Sequence, residues 1–304
     1  MHTKRVKTLG LTGLAAAAIA FSGLAQAEPL PVYILAGQSN LVGAGIAADI
    51  DPALAQPNPD ILYQFDVTTQ NRYQSTDWIP FEANGWDGNA NKKVPFSGFG
   101  PEVGFANTIA NATTGKFAVI KVAQNGTNLT ESWNPNATTG DMLYQRMLDT
   151  IDRAIAQLDP TYTPSFEALV WVQGSGDAYT FDGRAQAYDE TLALLVQGLR
   201  DHVGTPDLAV ALNQYHADSN RPADGIAELR ASQAAFVASD PYSVMIDADD
   251  LLLSSDMIHF EPSQQLELGN RLGSAVLSVP EPGSAAVLLV LSAGTLAARR
   301  RRSV

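Results

Sequence analysis

Residues 31–36, Pro-Val-Tyr-Ile-Leu-Ala, make an apolar run rich in β-branched and aromatic side chains, and Gly37-Gln38-Ser39-Asn40 ends it abruptly. Such a run closed by a breaker reads as a buried strand. Similar runs at 117–122, 168–173, 208–213 and 244–247 predict four more strands. Longer segments at 102–110, 142–158, 185–203, 225–238 and 264–277 carry the spacing of amphipathic helices. Strands alternating with helices of this length predict a parallel sheet covered on both faces. The expected fold class is α/β, a three-layer α/β/α sandwich on a central five-stranded parallel sheet. Residues 50–100 differ: Asn, Gly, Pro and aromatic residues dominate without a period. They are expected to form a functional loop or rim, since long irregular stretches rarely build a fold. There is no internal repeat, low-complexity tract or heptad pattern.

Both ends depart from this alternation. Lys4, Arg5 and Lys7 precede an apolar stretch, 9–21, and the small-x-small site Ala25-Gln26-Ala27. That pattern predicts an export signal over 1–27, and a first core helix is a poor alternative because the segment has no polar face. Val279-Pro280-Glu281-Pro282 precedes a second apolar stretch, 283–298, and the cluster Arg299–Arg302. This stretch is shorter than the roughly 20 residues a full span needs. Pro-Glu-Pro, a short apolar helix and terminal arginines resemble the PEP-CTERM sorting signal of Gram-negative bacteria. The resemblance implies transit to the envelope and removal of 279–304 by an exosortase-type enzyme, with a plain membrane anchor as the alternative. Any membrane contact would then run through this segment alone. Residues 28–278 remain as one expected domain.

Composition narrows the chemistry. The 304 residues, 45% of them hydrophobic, suffice for one large core. The chain has no cysteine, which excludes disulfides, thiolate zinc sites and cysteine nucleophiles. Its net charge is −13 even with the basic residues of both ends included. A domain that acidic repels nucleic acid and anionic membranes, and its expected substrate is neutral.

Four polar segments fall at predicted strand ends: Gln38-Ser39-Asn40, Asn125-Gly126-Thr127, Gln173-Gly174-Ser175-Gly176-Asp177, and Asp256-Met257-Ile258-His259. The sites of parallel α/β sheets lie at such carboxyl edges. Each segment has a plainer reading: Ser39 and Asn40 cap a helix, Gly126 serves a turn, and Gln173 is a polar group at the sheet edge. Together they are consistent with the parts of a serine hydrolase. A serine hydroxyl attacks efficiently only when an imidazole takes its proton. His2 lies in the export signal, His202 near a helix end and His216 after a strand. His259 follows Asp256 by three residues, which lets the carboxylate orient the imidazole. Amide groups of Ser39 and Gly126 and the Gln173 side chain are suitable oxyanion donors. Asp247, Asp249, Asp250 and His259 are a weak metal alternative, more simply a solvated loop.

GQSN after the first strand, Gly126-Thr127 after the second, Gln173-Gly174 after the third and Asp256-x-x-His259 near the end resemble the SGNH hydrolases. Within them the chain is similar to the sialate O-acetylesterase-like carbohydrate esterases. Supporting stretches are Gly98-Phe99-Gly100-Pro101-Glu102, Trp133, and Leu229-Arg230-Ala231-Ser232-Gln233. The resemblance implies a flavodoxin-like α/β/α fold and an exported acetylesterase that works through an acetyl-serine intermediate, without cofactor or metal. It makes Ser39 the nucleophile, His259 the base and Asp256 its orienter. Ser39, Gly126 and Gln173 become the oxyanion hole, and Gln38, Asn125 and Trp133 contact an acetylated carbohydrate. The α/β-hydrolase elbow is a poorer match, because Leu41 stands where it needs glycine. Two departures stand out. Ser175 replaces a glutamate usual after Gln-Gly, and Asn125 replaces a glycine. Lowered or altered activity is expected, with Ser175→Glu raising turnover. A non-catalytic envelope protein that binds glycan on the same fold is the competing reading. Trp78, Trp86 and Trp133 are candidate sugar platforms, against the commoner fate of a buried tryptophan.

Overall fold

Along the first strand, β1 (Glu28–Gly37), Val32, Ile34 and Ala36 face one way and Tyr33 and Leu35 the other, and all are buried. That period of two on a wholly apolar strand is the signature of a sheet covered on both faces. A computed structural model describes residues 27–46, 49–54, 56–82 and 98–279. The expected export signal to Gln26, Trp86 and the tail from Pro280 lie outside the described residues.

In chain order, β1 is followed by a single-turn helix α1 (Ser39–Val42) and β2 (Gly45–Ile46). Then come β3 (Asn58–Thr68), β4 (Arg72–Gln74), β5 (Ile79–Phe81), β6 (Gly98–Phe99) and α2 (Glu102–Ala112). The second half alternates: β7 (Phe117–Gln124), α3 (Leu143–Ala156), β8 (Tyr162–Val172), α4 (Tyr188–Val203), β9 (Ala209–Asn213), α5 (Ala223–Ser239), β10 (Ser243–Ile246) and α6 (Gln265–Ser278). The sheet order is β10-β9-β8-β1-β7-β3-β4, with β5 also paired to β3. All five expected strands and all five expected helices are present.

The sheet is wider than expected. A sixth parallel strand, β3, pairs with β7, and β4 and β5 add antiparallel edges. Residues 50–100 are therefore partly fold, not only rim. Ile61, Tyr63, Phe65 and Val67 alternate into the core on one face of β3. The opposite face carries Gln64 and Asp66, both fully buried, and these polar residues hide the strand. Their partners lie elsewhere: Gln64 donates to Gln157 at 2.7 Å, and Asp66 pairs with Arg72 and Arg146.

Two cores flank the sheet. Tyr33, Leu35, Phe65, Phe117 and Val170 pack under α2 and α6. Ile34, Ile120, Trp171 and Leu212 pack under α3, α4 and α5. Helices α2 and α6 touch closely. A Cβ on Gly104 would sit 2.0 Å from the Leu266 carbonyl oxygen, and one on Gly269 would sit 1.9 Å from that of Pro101. Among the described residues no helix is long and apolar enough to cross a membrane.

The topology places the carboxyl end of β1 centrally. The chain winds out to β3 and β7 on one side of β1, then crosses to β8, β9 and β10 on the other. Ligands bind at such switch points. In register, Gly37 lies opposite Ala123 of β7 and Val172 of β8. Loops beginning two residues beyond each strand therefore meet around Ser39.

Candidate active site

Gly37 makes the turn that ends β1. Its φ is +157°, and a Cβ there would approach the Val172 carbonyl oxygen to 2.1 Å, so only glycine fits. That same carbonyl accepts the Gln38 amide at 3.0 Å. The chain then enters α1, whose amides at Leu41 and Val42 bond back to the Gln38 carbonyl. Ser39 is left at the helix start, and its own amide has no partner among the described residues.

His259 reaches Ser39 from a loop 220 residues away. Its Nε2 lies 2.8 Å from the Ser39 Oγ, and its Nδ1 lies 2.5 Å from an Asp256 carboxylate oxygen. The other Asp256 oxygen accepts the backbone amides of Ile258 and His259 at 2.9 and 3.1 Å. Partial burial pushes the Asp256 carboxyl upward. The hydrogen bonds from the His259 amide, the imidazole and the Ile258 amide outweigh that and bring it down to about 2. The carboxylate thus stays charged and orients the ring.

A cavity of about 310 Å³ opens beside Ser39 and His259. Val42, Gly43, Ala44, Gly45, Ile46 and Gly98 form its mostly apolar wall, and Asn125 adds a carboxamide. Gly126 next to it has φ +69° and is exposed. Its amide also has no partner among the described residues. The Asn125 carboxamide thus lines the cavity with Ser39, and the Gly126 amide follows it in the chain.

The remaining expected site residues lie elsewhere. Gln173 is buried, and its carboxamide nitrogen donates to Asp177 at 2.6 Å, Gln38 at 3.0 Å and the Thr127 carbonyl at 3.4 Å. With its hydrogens so engaged, it is a brace rather than an oxyanion donor. Gln38 is likewise buried: it accepts from Gln173 and donates to the Ser175 hydroxyl. Neither Gln38 nor Trp133 faces the cavity. Trp133 is fully buried, packs edge-on to Trp171 at 5.2 Å and donates to the Thr127 hydroxyl at 3.2 Å. It props the turn that carries Gly126. Trp78 is anchored on α3 by a 2.9 Å bond to the Ala154 carbonyl. The acidic cluster does not assemble: Asp249 pairs with Arg230 and Asp250 with Arg271. Among the described residues no group of three metal-ligating side chains occurs.

A family model described as carbohydrate esterase, sialic acid-specific acetylesterase, matches residues 29–278. The chain belongs to this family. The esterase-family chain is 26% identical over 269 residues to a probable carbohydrate esterase of Arabidopsis thaliana, covering 83% of this chain and 93% of that one. The solved structure of that Arabidopsis protein superposes with a TM-score of 0.61 at 23% identity, over 82% and 98% of the two chains. NanS gives 0.59 at 14% identity, over 84% and 98%. A carbohydrate acetylesterase from Xanthomonas citri gives 0.56 at 18%, over 82% and 56%. These structural matches share the SGNH-type α/β fold described above.

The esterase-family site also contains groups that motif reading leaves out. Asn40 donates to the Ile258 carbonyl at 3.1 Å and accepts the Phe260 amide at 3.0 Å, strapping the nucleophile turn to the histidine loop. Its place directly after Ser39 is a signal, although a capping role hides it. Asp177 accepts the Leu129 amide, the Thr130 amide and hydroxyl, and Gln173. Burial pushes this carboxyl up to about 6 against those four bonds. Beneath α1, Lys121 donates to Glu102 at 2.6 Å and to the Val42 carbonyl at 3.2 Å, and both charged side chains are buried. Such a pair is costly to break, by about 3–5 kcal/mol, and it fixes the floor of the cavity wall.

Proposed function

We propose that this carbohydrate esterase is an exported O-acetylesterase that works through an acetyl-serine intermediate. The observation that carries the reading is the Ser39–His259–Asp256 chain of hydrogen bonds, 2.8 and 2.5 Å long, opening into a small apolar cavity. An acetyl methyl suits that cavity. The Ser39 Oγ attacks the ester carbonyl carbon while His259 Nε2 takes the hydroxyl proton. Negative charge builds on the former carbonyl oxygen, where the free amides of Ser39 and Gly126 are available as donors. The C–O bond to the sugar then breaks, and the sugar oxygen leaves with the proton held on His259. Water attacks the acetyl-serine by the same route in reverse roles, releasing acetate and restoring Ser39. Asp256 holds the imidazole in the tautomer that presents a bare Nε2 to the hydroxyl.

Ser39→Ala should abolish hydrolysis of p-nitrophenyl acetate and acetylated xylan, by about 10³-fold or more, with the melting temperature preserved. A fully active variant would refute the serine mechanism. A folded wild-type protein inactive on both esters would favour a glycan-binding role instead. The basic, apolar start and the Pro-Glu-Pro tail with its arginines support export to the envelope of a Gram-negative bacterium, with exosortase-type processing. Mass spectrometry of the mature protein tests this part, since an intact Arg299–Arg302 end would overturn the processing.

A further inference from the structure

Asn125 stands directly before Gly126, so its carboxamide neighbours a backbone amide that no side chain shields. Among the described residues no other asparagine precedes a glycine. Asn40, Asn58, Asn128, Asn134 and Asn213 each engage the side chain in a hydrogen bond. Each of these also precedes leucine, proline or glutamine. The Asn125 carboxamide has no partner among the described residues, and neither has the Gly126 amide. Both residues are exposed.

The fold anchors both sides of this pair and leaves the pair itself open. The Asn125 amide donates to the Thr68 carbonyl at 3.0 Å. The Thr127 hydroxyl donates to the Gln124 carbonyl at 3.0 Å and accepts from the Trp133 indole at 3.2 Å. Gly126 links these anchors at φ +69°, and a Cβ built on it would meet nothing within 4 Å. There is therefore room for a ring to close there and for water to enter. Attack by a group already tethered beside its target loses little translational freedom, which makes such a reaction fast for weak nucleophiles.

We propose that Asn125-Gly126 is a self-modification site, at which the chain chemically converts two of the free donors beside its own nucleophile. The Gly126 nitrogen attacks Asn125 Cγ, the bond from Cγ to Nδ2 breaks, and Nδ2 departs as ammonia with the proton from the Gly126 amide. A cyclic imide remains. Water then opens it at either carbonyl, giving aspartate when the new bond breaks and isoaspartate when the original peptide bond breaks. This chemistry is independent of the esterase reading, whereas its effect on turnover rests on that reading. In the imide the Gly126 nitrogen carries no hydrogen, so an oxyanion donor is lost. The aspartate product places negative charge in the cavity lined by Ser39 and His259, against the charge that develops there. The isoaspartate product lengthens the backbone by one carbon between the two anchors and displaces the Gly126 amide. A donor left free for a developing charge is, for the same reason, free to react.

The test ages the full chain at mildly alkaline pH and 37 °C, digests it with trypsin and sequences the peptide 122–146 by tandem mass spectrometry. A loss of about 17 Da at Asn125, followed by a gain of about 1 Da over the starting mass, is expected. The rate should lie within about tenfold of that in the same peptide made synthetically. A slower rate in the folded chain would show that the turn protects the pair, and would overturn the proposal. Hydrolysis of p-nitrophenyl acetate by the same samples should fall in step with the modified fraction. Asn125→Gln, compared with its own starting rate, should hold its activity at least about tenfold longer, because its ring closes less readily. Asn125→Asp, which makes the aspartate product directly, should start at least about tenfold below wild type in kcat. Equal decay of wild type and Asn125→Gln, or modification that leaves activity intact, would overturn the link to turnover. Wild type inactive on p-nitrophenyl acetate from the outset would count against the esterase mechanism, with the mass spectra still deciding the modification.

Discussion

At the end of β7 the Asn125 carboxamide and the Gly126 amide stand exposed and unengaged, whereas at the end of β8 Gln173, Ser175 and Asp177 are buried and bonded to one another or to neighbouring loops. Both strand ends flank Ser39 at the same level of the sheet, and both carry amides of the right kind. Their difference separates two duties. A donor that meets a developing charge must be fixed yet unpaired beforehand. A donor whose hydrogens are already spent fixes something else. The β7 loop faces the chemistry, and the β8 loop holds the β7 loop in place through Asp177, which grips Leu129 and Thr130. Groups of the first kind should alter turnover with little change in stability, and groups of the second kind should do the reverse.

The largest expected effect sharpens the first half of that contrast. Asp256 is 47% exposed and touches mainly its own loop. Asp256→Asn should lower kcat by about 10²- to 10⁴-fold, because an amide nitrogen facing Nδ1 selects the wrong tautomer. The melting temperature should barely move. Because the carboxyl sits at about 2, Asp256 stays ionised throughout the working range, and any acid limb in wild-type activity must come from another group. A large loss of stability in this variant would break the contrast.

Asp177 tests the second half. Asp177→Asn places a donor against the Leu129 amide and Gln173 in place of an acceptor. It should cost about 1–3 kcal/mol, a fall of up to about 10 °C in melting temperature for a domain this size. The pH dependence gives an independent sign. Burial raises this carboxyl in the folded state from 3.8 to about 6, so between those values the folded protein binds more protons than the unfolded one. Its favourable contribution is full below about pH 4 and is lost as pH rises through 6, about 3 kcal/mol in all. Denaturation of wild type at pH 4.5 and 7 should show that slope, and Asp177→Asn should remove it.

Much of this was readable from residues alone, for physical reasons. The five parallel strands are apolar on both faces, so their runs stand out, and Ser39, Asp256 and His259 occupy motifs with a fixed local geometry. β3 escapes because two of its buried side chains, Gln64 and Asp66, are polar and find partners 93 and 80 residues away or across a turn. Gln173 and Trp133 lie near the expected edge of the sheet, but their side chains turn under it, away from the cavity. Strand position tells which edge a residue reaches. It does not tell whether the side chain turns toward the cavity or under it, because that depends on partners such as Asp177 and Thr127 from other segments.

Ser175 is the next test, with a smaller effect. The resemblance predicts that Ser175→Glu raises turnover. Ser175 instead lies buried against Gln38, beside a void of only about 10 Å³ bounded by Val172, Asn213 and Tyr215. A glutamate needs far more room than that. The variant should lose about 1–3 kcal/mol of stability and gain no turnover. A gain in kcat at unchanged stability would show that the β8 loop, too, faces the chemistry.

The smallest expected effect falls on Asn125. Its carboxamide lines the cavity with Ser39 and His259 and has no hydrogen-bond partner among the described residues, while its backbone amide is fixed to the Thr68 carbonyl at 3.0 Å. Truncation to alanine removes one potential donor to the acyl group and leaves the backbone bond in place. Loss of a single neutral hydrogen bond is worth about 1 kcal/mol, so Asn125→Ala should lower kcat/KM about fivefold, with the melting temperature unchanged. A fall confined to KM would mean that Asn125 contacts the ester equally before and during reaction. A fall confined to kcat would make it a donor that bonds only as charge develops, alongside the Ser39 and Gly126 amides. That would fill the place that Gln173, spent on Asp177 and Gln38, cannot take.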